Sequence, residues 1–283
     1  MSDEAYGATV AKRKLSRRLA ELRKGTGSTA NQICDLLDWG RGKVGRMEAN
    51  QWIRPEMSDI RDLLRIYGVT GVEHDELLDL TSRARVRAWW REYADIFENE
   101  FPGFESDATR IRVFMPLLLP GLLQTPDYTQ AYMRTGSRPP AWRRKALESR
   151  QRRQEILDRT GGTAPKLIAV ITEASLFYRW GSREDRREQI EHLIAVGNRP
   201  NVELHIQRFA DGPVAGLVSP INIFDLPEGE PTMVFTETDY TMEEVTKPAR
   251  VDAYARSFAL AVDASLEPHN TALYLSEIAE KLE

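Results

Sequence analysis

Cysteine is nearly missing from this chain: Cys34 is the single one among 283 residues. An intramolecular disulfide is therefore excluded, a metal site has little thiolate to draw on, and a reducing, cytoplasmic setting is expected. Histidine is scarce too. His74, His192, His205 and His269 are scattered, with no spacing that would hold a metal. No uninterrupted apolar run approaches the ~18 residues of a membrane span, and the opening MSDEAYGATVAKRK lacks the apolar core of a secretory leader. Glycine-rich phosphate loops are absent, since Gly161-Gly162 lacks the surrounding pattern, and no G-x-S-x-G elbow occurs. The carboxylates of Glu237 and Asp239, on one face of a predicted edge strand, read as solvated side chains. No cofactor and no enzymatic activity are expected.

What is present is an ordinary globular composition, 41% hydrophobic and 29% charged, with its charge unevenly spread. The net charge is −4. Residues 10–54 hold eleven Lys and Arg against four acids, a local balance of +7, which leaves −11 for the rest. Such segregation is the mark of a basic module joined to an acidic body.

The basic segment has a helical rhythm. Leu15, Leu19 and Leu22 form one stripe, closed by Gly25 and Gly27. Ser28-Thr29 is placed to cap a second helix with buried Ile33, Leu36 and Leu37. A turn at Asp38-Trp39-Gly40 precedes a third helix over residues 41–50, with Val44 and Met47 inward. A fourth follows Pro55, and a fifth, longer one covers 74–93. This all-α head spans residues 1–75, with 76–95 as a connecting helix and 96–283 as the body.

The body reads as α+β with a mostly antiparallel sheet. The run 113–123, VFMPLLLPGLL, carries Pro116 and Pro120 and so reads as neither a regular helix nor a central strand. Pro102-Gly103 reads as a turn, and Thr125-Pro126 as the cap and first residue of a helix. A highly charged helix covers 142–158. LIAVIT (167–172) is a buried strand, followed by a helix over 184–196 and strands over 202–207, 219–225 and 232–238. Turns at Asp211-Gly212-Pro213 and Pro227-Glu228-Gly229 separate the strands, and helices over 247–265 and 271–282 close the chain.

Two short helices joined by a tight turn are the geometry that lays the second helix in the major groove. Its outward residues Arg41, Lys43 and Arg46 suit phosphate oxygens or guanine O6 and N7. Ser28, Thr29 and Asn31, at the start of the first helix of the pair, are placed for a phosphate, and Arg18 flanks them. Gly40, Gly42 and Gly45 are unusual for a recognition helix, each interior glycine costing about 1 kcal/mol.

Residues 15–69 resemble the Cro/repressor-type (XRE) helix-turn-helix family, with matches at Leu19, Leu22, Arg23, Thr29, Ile33, Lys43, Val44, Arg46, Met47, Glu48 and Tyr67. The resemblance implies that Glu48 pairs with a basic residue of the head as part of the scaffold. Ala30 stands where that family usually has glutamine, removing one customary backbone contact. The body, through PLLLPGLLQTPDYTQAYM (116–133), RQRRQEIL, LIAVITEASLFYRWG, PNVELHIQ and FTETDYT, resembles the domain of actinobacterial WhiJ-like and antitoxin-like regulators. The resemblance of the head implies double-stranded DNA as ligand, and that of the body a regulator working with a small partner protein encoded nearby. A homodimer is expected because one short recognition helix reads few base pairs. Glu173, at the end of the LIAVIT strand, is expected to pair with Arg150 or Arg153, or to line a partner or ligand pocket with Tyr178 and Trp180. The PGLLQTPDY phrase reads as a structural elbow burying Leu122, Leu123 and Tyr128.

Overall fold

The stripe of Leu15 and Leu19 becomes fully buried once helix α1 (Ala8–Gly25) meets its neighbours in the computed structural model. The structure describes residues 7–214, 216–227, 229–238 and 241–282. The chain divides into two units, one ending at Glu92 and the other beginning at Tyr93.

In the first unit α1 is followed by α2 (Ala30–Leu36), α3 (Lys43–Glu48), α4 (Met57–Ile66) and α5 (Gly71–Ala84). One core joins them: Leu15 and Leu19, Ile33 and Cys34, Val44 and Met47, Ile60, Leu63 and Leu64, and Leu77, Leu80 and Ala84. Cys34 behaves as a small apolar residue. Leu36, expected inside, is 66% exposed. The fifth helix is shorter than its periodicity suggests. It ends at Ala84, with Arg85 at its C-cap bonded to the Pro55 carbonyl and the Glu56 carboxylate, and Trp89–Tyr93 form a separate 3₁₀ turn.

The second unit is built on a six-stranded sheet in the order β3-β2-β1-β4-β5-β6. Its strands are β1 (Arg110–Met115), β2 (Lys166–Thr172), β3 (Val202–Gln207), β4 (Ile221–Asp225), β5 (Met233–Glu237) and β6 (Met242–Val245). Strands β1, β2 and β3 run parallel, whereas the pairings β1–β4, β4–β5 and β5–β6 are antiparallel. The mostly antiparallel α+β expectation holds, with a parallel half that the turn spacing does not announce.

The prolines misdirect at two points. Residues 113–115 lie in β1, a central strand; Pro116 falls just beyond the last ladder residue, so no ladder donor is lost. Likewise Pro102-Gly103 open the helix α6 (Phe101–Asp107) rather than a turn, because proline in the first helical turn gives up an N–H that has no partner there anyway. Strand β6 adds an edge that the sequence pattern does not suggest.

Helices α7 (Pro126–Arg134), α8 (Pro140–Gln154), α9 (Ala174–Phe177), α10 (Arg183–Gly197), α11 (Pro248–Asp263) and α12 (Pro268–Lys281) complete the unit. One sheet face packs Phe114, Val170, Ile221, Ile223 and Val234 against Phe258 and Ala261 of α11. The other face meets α6 through an aromatic cluster in which Phe101 lies 5.2 Å from Phe224 and 5.4 Å from Phe235. Leu122, Leu123 and Tyr128 are buried, as an elbow requires. The Thr125 hydroxyl accepts from the Tyr128 N–H, with Pro126 at the first helical position. No helix among the described residues is long and apolar enough to cross a membrane.

Candidate nucleic-acid interface

The helix pair α2–α3 is locked by its own termini. Thr29 caps α2: its hydroxyl accepts from the Gln32 N–H while the Gln32 side chain accepts from the Thr29 N–H, a reciprocal capping box. The pattern Thr29-x-x-Gln32 carries the signal for that box, although sequence reasoning gives Gln32 no role. Across the turn the Gly42 N–H donates to Asn31 Oδ1 at 3.3 Å, tying the start of one helix to the start of the other. Gly42 sits at φ +82°, a left-handed conformation that admits glycine readily. The recognition helix is therefore Lys43–Glu48, shorter than the expected 41–50. Gly40 and Gly42 belong to the turn, so only Gly45 is an interior glycine.

Behind this pair stands a half-buried ion pair. Arg23 grips both carboxylate oxygens of Glu48, at 2.6 and 2.9 Å, and donates to the Ser28 carbonyl at 2.7 Å. Hydrogen bonding to Glu48 raises the Arg23 pKa above its ordinary value. This is the scaffold role implied for Glu48, and it fixes α1, α3 and the approach to α2 against one another.

The expected DNA contacts separate into two groups. Arg41, its side chain 76% exposed, has only a loose contact with Asp35 at 3.7 Å. Arg46 is exposed and has no carboxylate partner among the described residues. Thr29 and Asn31 are exposed and Ser28 is half-buried at the adjoining end of α2. Lys43, in contrast, is held by the fold: its ammonium lies 2.8 Å from Asp59 and 3.8 Å from the centre of the Trp39 ring. Arg18 is likewise claimed by carboxylates, Glu21 at 2.6 Å and Glu73 at 2.5 Å, and so links α1 to α5. A Cβ on Gly40 or Gly45 would meet no heavy atom within 4 Å, and neither has a positive φ.

Glu173 and Trp180, singled out in the body, have different partners. Glu173 accepts from the Phe209 N–H at 2.6 Å and from the Tyr274 hydroxyl, whose pKa burial and this bond push up to about 12. It pairs with neither Arg150 nor Arg153, correcting that expectation: the strand end points it at the loop after β3 instead. Trp180 packs edge-on against Tyr128 at 4.7 Å, and Tyr178 is exposed. Of the two carboxylates read as a solvated pair, Asp239 lies outside the described residues, as does Glu228 of the second turn.

Comparison with known families bears on both units. A helix-turn-helix domain matches residues 14–77, the whole α2–α3 pair with its supporting helices. A domain of unknown function, DUF5753, matches residues 99–277, more than half of the chain. The chain belongs to the DUF5753 family. No curated protein and no solved structure matches it. The DUF5753 domain here follows a helix-turn-helix of the DNA-binding type, whose exposed face carries Arg41 and Arg46.

Within the DUF5753 domain the arginines expected to serve Glu173 form a cluster of their own. Arg153 meets Glu105 through two hydrogen bonds, at 2.6 and 2.8 Å, and Glu105 is fully buried. Burial works to lower the Arg153 pKa and the Glu105 carboxylate outweighs it, leaving it raised. Arg150 donates to Gln124, a neutral amide; burial, and then the charge of Arg153, push its pKa down to about 10. Glu237 titrates above the usual carboxylate range because burial outweighs its attraction to Arg150 and Arg153. Gln124 also bonds the Leu119 carbonyl and the Thr129 hydroxyl, so this polar cluster fastens the PGLLQTPDY elbow to α8.

Proposed function

We propose that the protein is a transcription regulator that reads duplex DNA with the 38–42 turn and α3, working as a homodimer. The observation that carries this reading is two exposed arginines, Arg41 with only its 3.7 Å contact to Asp35 and Arg46 with no carboxylate partner among the described residues, near the open Cβ positions of Gly40 and Gly45. Long cationic side chains flank a stretch where a base edge or sugar–phosphate backbone can approach closely. Thr29, Ser28 and Asn31 adjoin it as phosphate contacts. Lys43 and Arg18 contribute mainly by holding the scaffold. A dimer doubles a contact that one six-residue helix makes too small for useful discrimination.

The test is titration of DNA selected from a random pool, at several salt concentrations. Arg41→Ala and Arg46→Ala are each expected to weaken binding, by about 1–3 kcal/mol where the arginine contacts a guanine. Where the arginine instead neutralises a phosphate, its removal lowers the log–log salt slope by about 0.9. If neither change weakens binding, the face is misassigned.

The body, on this proposal, binds a small partner protein. The chain leaves β1, β2 and β3 and enters β4 at the same sheet end. There Leu117, Phe177, Tyr178, Phe209 and Val218 are all more than half exposed, Val218 at 86%. So much exposed apolar surface at one end supports a protein contact there. The same observation favours a second reading, an antitoxin-like module that sequesters its partner, with DNA binding limited to its own promoter. Genome-wide occupancy at many sites supports the regulator. Occupancy at one promoter, with growth arrest on loss of the protein, supports the sequestering module.

A further inference from the structure

The DUF5753 unit is acidic, residues 93–283 carrying 22 basic against 29 acidic side chains, a balance of −7. One stretch breaks the pattern. Residues 134–145, RTGSRPPAWRRK, hold five cations and no acid, so the remainder of the unit stands at −12. The stretch covers the end of α7, the connecting loop and the first turn of α8.

Nothing inside the fold calls for this charge. Arg134, Arg138 and Arg144 are exposed and Arg143 is half-buried; none of the four has a carboxylate partner among the described residues. Arg143 closes the opening turn of α8, where the helix dipole disfavours a cation, Arg144 follows it, and no acid stands in that turn to offset them. Lys145 alone is neutralised, by Asp95. Its neighbour Trp142 donates to the Asp95 carbonyl at 3.2 Å, so that the start of α8 is pinned. Arg138 lies over the Trp142 ring, 4.9 Å from its centre, which restrains its long side chain. The result is a cluster of guanidinium groups held on an anchored corner, with no large exposed apolar side chain within 134–145.

We propose that residues 134–145 are a second, sequence-independent DNA contact, through which the body grips phosphates flanking the site read by the head. This rests on the DNA reading of the head. Four unpaired arginines suit phosphates, which their planar fork matches. An acidic protein partner fits less well, because a protein interface is built around an apolar centre that this stretch lacks. Tethering adds to the case. Once the head is bound, the body's arginines meet the same duplex at an effective concentration of about millimolar. Individually weak phosphate contacts then count.

The experiment uses the full chain, a 16-bp duplex bearing a site selected from a random pool, and a 40-bp duplex with that site at its centre. The triple variant Arg138→Gln, Arg143→Gln, Arg144→Gln is compared with the wild type across a salt series. The expected result is binding to the 40-bp duplex weakened about tenfold near 0.1 M salt, with a salt slope smaller by about two to three. Binding to the 16-bp duplex stays the same. The thermal midpoint should not move, since the three arginines make no ion pair. Unchanged binding to the 40-bp duplex overturns the proposal, as does loss only of affinity for a 20-residue polyglutamate, which assigns the stretch to an acidic protein. The double variant Arg41→Ala, Arg46→Ala separates the two claims. If it abolishes binding while the triple variant matches wild type, the head reading stands and only the body contact falls. A wild type that binds neither duplex overturns both.

Discussion

Gly45 shows most clearly how a single residue can serve a surface rather than the fold. It is the one glycine inside α3, its φ is not positive, and a Cβ there would meet nothing. Gly42 is different, since φ +82° would strain any other residue, and its Cβ would meet the Arg46 guanidinium at 3.3 Å. Replacing Gly45 by alanine should therefore raise the stability of the head by about 1 kcal/mol, through helix propensity alone. The same methyl group would occupy open space next to Arg46 in the sequence of α3, so on the DNA reading affinity should fall while stability rises. Thermal melts and DNA titration of Gly45→Ala check both signs. A variant that is more stable and binds DNA as well as wild type would show that nothing approaches this surface closely. The residue scale is also where sequence reading overreaches. Lys43 and Arg18 look like free cations in a string of letters, and only the folded chain brings Asp59, Trp39 and Glu73 to them.

Elements are readable wherever a local signal fixes them. The stripe Leu15–Leu19, the Thr125-Pro126 helix start and the β-branched run of β2 each state their own conformation, and the structure agrees. Failures arise where a residue's usual meaning depends on its place. Proline breaks a strand only if it occupies a ladder position, and Pro116 stops one residue short of that. Strand β6, MEEV, has neither β-branched density nor apolar alternation and exists because Val234 and Phe235 of β5 offer it an edge. The parallel order of β1, β2 and β3 depends on contacts far apart in sequence, which periodicity does not encode. The start of α2 is the opposite case, a local signal with an energetic consequence. Thr29→Ala removes the half of the capping box made by the hydroxyl, together with that hydroxyl's bond to the Gln32 side chain at 3.0 Å, while the Thr29 N–H keeps its own bond to that side chain. Such caps contribute about 1 kcal/mol. The head of Thr29→Ala should melt several degrees lower, with Thr29→Ser recovering most of the loss. If the alanine variant melts with the wild type, the capping box is not holding α2.

At the scale of the whole molecule, segregated charge is the feature most readily taken from composition, and buried titratable groups the least. His205 lies in β3, 6% exposed, with Nδ1 donating to the Leu266 carbonyl at 3.0 Å and Nε2 buried without a partner. A second proton would have to sit on Nε2, where no acceptor waits. Burial accordingly lowers the pKa of His205, against the weaker pull of the Leu266 carbonyl, Glu203 and Glu267. A base whose folded pKa lies below its unfolded value takes up its proton preferentially in the unfolded chain. The stability it supports is complete above the ordinary histidine range, near pH 6.5, and declines as pH falls from there toward the folded pKa. The melting temperature of the second unit should thus drop between about pH 7.5 and 5.5. His192, lowered by burial and by Arg199, acts in the same direction. In His205→Leu the Leu266 carbonyl keeps the Thr271 hydroxyl at 3.2 Å, so the carbonyl is not orphaned. That variant should lose part of the pH dependence, and His192 should account for what remains. A pH profile of melting temperature parallel to the wild type's would mean that His205 is protonated in the folded protein as easily as in water, against its burial.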